Sequence, residues 1–579
     1  AQTLDPISYT LRFDSPHTHY VSIEAHIPTS GRTHIELMMA TWTPGSYLIR
    51  EFARHVESLT AQTPDGHPLA VEKSRKNRWI VATSDADSIV VSYVVYGREM
   101  SVRTNWIDAD FAMLNGAPTF LTLADDGKRP HDVKLELPSV WNQGLTGLNP
   151  HPNGEPNAYR AEDYDILVDS PIIVGNPTVY EFTVDDTPHQ LVNIGESGVW
   201  LGAKSATDVE QITHEIHQMW GVMPYDRYLF FNMITEAGGG LEHRNSTLIM
   251  SSRWDTTSRR NYLRWLGLVS HELFHAWNVK QLRPIEFGLL DYETEIHTES
   301  LWIVEGLTSY YADLAVHRAG LSTQDEYLRA LSAQIRNLQT TPGRGVQPLG
   351  LASYDAWIKY YRRDENSRNS SVSYYTKGAV VGFLLDMQIR AATADSETLD
   401  DLMRLAYARF PHTRGFTAEE FRSTAQAVAG TDLSQWFSRA VDTTEDLDYS
   451  TALDWLGLEF SDEPESEHSG WVGLVTRTNN GRLLIGEVLR GTPAHTAGFN
   501  VDDELLAIGA HRVLPDQWSQ RISQAEPGSE LEVLVSRRGE LRRIHVTIGL
   551  RRSNRWELQF AEQPTPSQEQ HRLRWLAGN

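Results

Sequence analysis

His271-Glu272-Leu273-Phe274-His275 places two imidazoles and a carboxylate within about one helical turn, the side-chain types that metal-assisted hydrolysis needs. On an α-helix, residues i and i+4 project from one face. His271 and His275 can therefore offer nitrogens to one ion while Glu272 leans toward the same site as a proton acceptor. Zinc suits His and carboxylate ligands in a tetrahedral set, and a catalytic zinc keeps one position for water, so a third protein ligand is required. Glu305 is the candidate. It stands among Leu301, Trp302, Val304, Leu307 and Tyr311, where a carboxylate is costly to bury without a cation. The competing readings are two core histidines that flank a glutamate, and a Glu305 on the exposed face of a half-buried helix.

These residues need helices to hold them. From Asn261 to Leu282, apolar residues at Leu263, Leu266, Val269, Leu273, Phe274 and Trp277 recur at helical spacing, and Asp255 to Ser258 are suitable N-caps. Leu301 to Gly320 is predicted as a second amphipathic helix carrying Glu305. Asp208 to Trp220 is helical as well and contains His214 and His217, an i, i+3 pair with no evident third ligand, read as surface histidines. Tyr228 to Thr235 reads as a buried strand, followed by Ala237-Gly-Gly-Gly-Leu-Glu-His243 and a further strand from Ser246 to Ser251. The glycines leave backbone open to a ligand, so an extended peptide can add to the sheet at Gly239 and Gly240. Glu242 would then face a substrate amine; the alternative is a glycine turn with a solvated Glu.

Composition bounds the partners. The chain has 579 residues, enough for three or four domains, and 52 basic against 76 acidic residues give a formal net charge of -24. Phosphate-rich partners are disfavoured by that charge, so neither nucleic acid nor a membrane surface is expected. Without cysteine there are no disulfides and no thiolate metal sites. No run is apolar enough to span a bilayer. The start, AQTLDPISYT, lacks the regions of a signal peptide and an initiator Met, which suggests that a leader or a Met was removed; a cytoplasmic or a periplasmic location both remain open.

Up to about residue 175 the chain is strand-like, with Thr33–Met39 and Ser88–Tyr96 as examples, and turn signals such as Pro44-Gly45 and Asn115-Gly116 separate the runs. A β-sandwich is expected. The Trp42-Thr-Pro-Gly-Ser-Tyr47 loop is read as turn chemistry. From about 320 to 451 the text is mainly helical, and Ser373-Tyr-Tyr-Thr-Lys-Gly-Ala379 sits at a helix start, where a tyrosine hydroxyl can serve a developing oxyanion. An acidic linker, Ser461 to Glu467, precedes a compact β-rich unit to about 551. The remaining tail is polar, with one short helical signal.

Taken together, these motifs resemble the glycyl aminopeptidase family of zinc metallopeptidases, related to aminopeptidase N. The resemblance implies a multidomain α+β chain: an N-terminal β-sandwich (1–175), a thermolysin-like catalytic domain (176–320) with a helical continuation (321–455), a C-terminal PDZ domain (462–551) and a tail (552–579). It implies one zinc on His271, His275 and Glu305, with Glu272 as catalytic base. Gly239-Gly-Leu-Glu-His243 is similar to the Gly-Ala-Met-Glu-Asn segment of aminopeptidase N, which makes Glu242 the amine-binding residue, with His243 in place of Asn. Tyr375, or else neighbouring Tyr374, matches the oxyanion tyrosine. His275 and Glu305 stand further apart than in aminopeptidase N, and the extra residues are read as a loop within Leu282 to Ser300. Gly491-Thr-Pro-Ala494 with Asp503-Glu-Leu-Leu506 is a PDZ pattern, and Trp471-Val-Gly-Leu474 would bind a peptide C-terminus. The implied function is removal of small N-terminal residues, Gly or Ala, from peptides with a free N-terminus. Two rivals are a zinc endopeptidase with PDZ-assisted capture and a non-catalytic PDZ scaffold with structural zinc.

Overall fold

The structure is a computed structural model and describes residues 4–288, 290–461, 469–550 and 554–578. The chain divides into two compact units. One comprises Ala1–Ile296, Ala319–Leu321 and Tyr407–Phe416; the other comprises His297–Arg318, Ser322–Ala406 and Thr417–Asn579.

The first unit opens with a β-rich domain. Period-two burial drives it: Ile7–Arg12 buries Ile7, Tyr9 and Leu11 and leaves the residues between them partly exposed. That strand lies parallel to His131–Glu136 and antiparallel to Tyr20–Pro28 within an eight-stranded sheet. The expected strands at 33–39 and 88–96 are present as His34–Met39 and Ser88–Tyr96.

A five-stranded sheet follows, made of β1 (Thr178–Val184), β2 (Thr187–Ile194), β3 (Tyr228–Ile234), β4 (Gly239–Glu242) and β5 (Ser246–Ser251), in the order β1-β2-β3-β5-β4. Strand β3 runs parallel to β2 and β5, and all seven of its residues are buried. A strand covered on both faces has no use for alternation, which is why its sequence is almost continuously apolar. β4 is antiparallel to β5 and forms the edge. Helix α1 (Gly202–Trp220) begins six residues before the predicted start at Asp208, its first turn tied by Trp200 Nε1 donating to Ser205 Oγ at 3.0 Å. Helix α2 (Arg259–Phe274) starts where Ser258 Oγ accepts from the Asn261 N–H, so Ser258 is the cap among the candidates. It ends eight residues before the predicted Leu282. The backbone from Ala276 onward turns back on itself instead: Ala276 N–H bonds Leu273 C=O, Lys280 N–H bonds His275 C=O and Leu282 N–H bonds Trp277 C=O.

In the second unit, Glu305 lies in a single π-helical turn, Trp302–Gly306, which leads into α3 (Leu307–Arg318). The amphipathic expectation for this stretch is corrected. Between Leu301 and Val316 every residue except Ser309 and Asp313 is buried, because the helix is central to its unit rather than at its surface. Its polar groups are matched internally: Tyr310 O–H donates to Asp386 and Tyr311 O–H to Asp400, each at 2.7 Å. Helix α4 (Tyr374–Ala392) packs along it. Within the same unit, residues 470–550 hold a six-stranded sheet, a two-stranded pair and two short helices around Ile485, Leu505, Trp518, Val533 and Val546. The acidic residues 462–468 lie outside the described residues. The polar tail holds a 12-residue helix, α5 (Pro566–Ala577), longer than its sequence signal; Trp575 is fully buried and donates to Tyr310 Oη at 2.9 Å. Among the described residues, no helix is long and apolar enough to cross a membrane.

Candidate active site

In the first unit, α2 buries Tyr262, Trp265, Leu266, Val269 and Leu273 and thereby turns its last residues toward the sheet. His271 is partly exposed, His275 is buried, and their Nε2 atoms lie 3.0 Å apart with the rings nearly perpendicular. His275 Nδ1 is 2.8 Å from the Asn278 carbonyl oxygen. A carbonyl only accepts, so Nδ1 carries the proton and Nε2 keeps its lone pair for a metal. The turn after Phe274 is what brings the Asn278 carbonyl back to this ring.

Glu242 ends edge strand β4 and is buried, as is Glu272. Carboxylate oxygens of both residues and a ring nitrogen of His275 all lie within 4.8 Å of one another. Two buried carboxylates that close repel unless a cation or a proton is shared between them. Gly240 makes the approach of β4 to α2 possible, for a Cβ there would stand 2.1 Å from Glu272 Oε1. Glycine at 240 thus sets the position of the carboxylate that sequence reading assigns as base.

The residues just past Glu242 are held by Asp169, which sequence reading missed because it carries no motif. His243 Nδ1 donates to Asp169 Oδ1 at 3.0 Å, Lys280 Nζ to the same oxygen at 2.9 Å, and Arg244 N–H to Oδ2 at 3.1 Å. Burial alone would raise the Asp169 carboxyl, but Lys280 and His243 hold it below the usual carboxylate range. The 42–47 loop is more than a turn: a Cβ on Gly45 would lie 2.6 Å from Glu242 Oε1. Burial, then the Glu242 charge, pushes the Tyr47 hydroxyl far above its ordinary value, so it stays protonated. A cavity of about 280 Å³ opens beside Glu242, with Tyr47, Lys280 and Arg283 among its walls.

His214 and His217 serve structure. His217 Nδ1 lies 2.5 Å from Asp185 Oδ2, and His214 Nε2 pairs with the Gln218 side-chain amide at 2.9 Å.

Glu305 and Tyr375 belong to the second unit. The π turn carrying Glu305 meets the start of α4 at two glycines: a Cβ on Gly306 would lie 2.5 Å from the Gly378 Cα, and one on Gly378 2.7 Å from the Gly306 Cα. Such backbone contact tolerates no side chain on either partner. It sets Glu305 near Tyr375, whose helix begins where Ser373 Oγ accepts from Thr376 N–H. Surrounding burial and then the Glu305 charge push the Tyr375 hydroxyl well above its ordinary value, which keeps it a donor. Its Oη is 3.4 Å from that of Tyr361. Tyr374 is almost completely buried.

Two family models match the sequence, the peptidase M61 N-terminal domain over residues 8–176 and the M61 glycyl aminopeptidase over residues 264–381. Both M61 peptidase domain models are thus matched in the one chain. Its second match spans His271, Glu272, His275, Glu305 and Tyr375, and the chain is a peptidase. A solved aminopeptidase N family protein from Idiomarina loihiensis superposes with a TM-score of 0.92 at 28% identity, covering 98% of this chain and 100% of that one. An M1 zinc metallopeptidase from Deinococcus radiodurans aligns with a TM-score of 0.49 at 14% identity, over 77% of this chain and 95% of its own. No curated protein sequence matches.

Proposed function

We propose that this M61 peptidase is a zinc aminopeptidase that removes small N-terminal residues, Gly or Ala, from peptides with a free amine. What carries the reading is the gathering of Glu242, Glu272 and His275 around one point, with the His271 Nε2 converging on that of His275. The donor set suits zinc: His275 has the tautomer a ligand needs, and two histidines with one carboxylate are a catalytic zinc set. Glu305 is the third ligand in this reading, from the carboxylate requirement and the family resemblance. Bound there, zinc supplies Lewis acidity and brings the pKa of a water to about 7.

The chain's own residues do the rest. Backbone groups of Gly239 and Gly240 on the edge strand hold the peptide in extended form. Glu242 accepts hydrogen bonds from the substrate ammonium, which fixes the scissile bond one residue from the N-terminus. Glu272 accepts the proton of the attacking water and returns it to the leaving amine. Tyr375 O–H donates to the oxygen that gains charge.

The same proposal reads 1–175 as a β-sandwich, 176–320 as a thermolysin-like domain continued by helices over 321–455, and 462–551 as a PDZ domain followed by a tail over 552–579. Strands Leu474–Asn479 and Arg482–Val488 with the Pro493–Ala497 helix support the PDZ reading, in which Trp471-Val-Gly-Leu474 receives a peptide C-terminus.

The test is hydrolysis of glycyl and alanyl reporters against their N-acetylated forms, with and without a chelator. The free-amine forms alone should turn over, and only without chelator. Equal rates on acetylated peptides would replace the aminopeptidase by an endopeptidase.

A further inference from the structure

We infer that Asp169 is a positioning residue for the amine site: through His243, Arg244 and Lys280 it holds the Glu242 carboxylate at the depth a substrate ammonium requires. The inference rests on the reading of Glu242 as the amine-binding group. Glu242 is the last residue of an edge strand that turns back into β5 through a tight hairpin, closed by His243 N–H donating to the Ser246 carbonyl at 2.9 Å. Asp169 anchors that turn from outside the sheet, since one of its oxygens accepts from the His243 ring and the other from the Arg244 N–H. It thereby grips both residues that follow Glu242.

The same carboxylate binds Lys280, whose own N–H donates to the His275 carbonyl at 3.0 Å. Asp169 itself is the C-cap of a short helix, Tyr164–Val168, in the β-rich part of the unit. One side chain therefore ties the end of the amine-site strand to the turn that orients a metal-binding imidazole. The connection is enclosed: side-chain exposure is 0% for His243, 14% for Asp169 and 12% for Lys280. In such surroundings charge-assisted hydrogen bonds are strong and geometrically demanding. A shift of about 1 Å at Glu242 is enough to misplace a bound amine relative to Glu272.

The experiment compares Asp169→Asn, Lys280→Met and Glu242→Ala on a glycyl reporter, measuring KM, kcat and metal content. Asp169→Asn should raise KM about tenfold, the effect of misplacing one charge-assisted contact, while kcat and zinc content change much less. Lys280→Met keeps the His243 and Arg244 contacts and should raise KM by a smaller factor, which tests the proposal even if Asp169→Asn does not fold. A raised KM in Glu242→Ala with unchanged KM in both other variants overturns the positioning role alone. An unchanged KM in Glu242→Ala overturns the amine-site reading on which it rests.

Discussion

Glu272 is the residue whose role is most sharply testable, because its carboxylate is confined by Gly240 on one side and lies beside His275 on the other. Glu272→Gln preserves shape and removes basicity. It should retain zinc and lose about 10²- to 10⁴-fold in kcat, the usual worth of a positioned general base; metal analysis and steady-state rates on the same preparation check this. At this scale the sequence was legible where chemistry follows a helical repeat: i and i+4 project alike whatever the fold, so His271 and His275 could be paired on sight. Asp169, Lys280 and Gly45 could not. Each acts through a contact with residues distant in sequence, from a turn that leaves no periodic trace.

At the scale of elements, the two glycines where the π turn meets α4 govern how close Glu305 comes to Tyr375. Gly378→Val would drive a branched side chain against the Gly306 backbone and Trp302, forcing the helices apart. Such overpacking costs about 1–3 kcal/mol or more, so its melting temperature should fall by several degrees and activity should fall with it. A variant melting like the parent would remove the close approach as a determinant of the site. The helix and strand runs were largely readable, since burial patterns of β3 and α2 follow from apolar spacing. The end of α2 at Phe274 was not, because the backbone of 275–282 finds its hydrogen bonds in turns with no Gly or Pro to announce them. The π turn at 302–306 was hidden for a similar reason: one extra residue in a turn barely disturbs an already apolar stretch.

For the whole molecule, acid sensitivity follows from buried neutral imidazoles. Burial lowers His131 to about 4 and His189 to about 4, from an ordinary value near 6.5. The folded pKa is depressed, so the stabilisation is complete above about pH 6.5 and is lost as pH falls through about 4, by roughly a few kcal/mol per group. Thermal melts between pH 7 and pH 4 should show this decline, and His131→Gln should flatten it; an unflattened slope would assign the acid limb to other groups. Whether Glu305 completes the zinc set is read from the metal content of the whole chain. Zinc per chain in the purified protein and in Glu305→Ala tests it most directly. The account predicts close to one zinc per chain in the parent and a large loss in the variant at unchanged fold; equal zinc in both would contradict it.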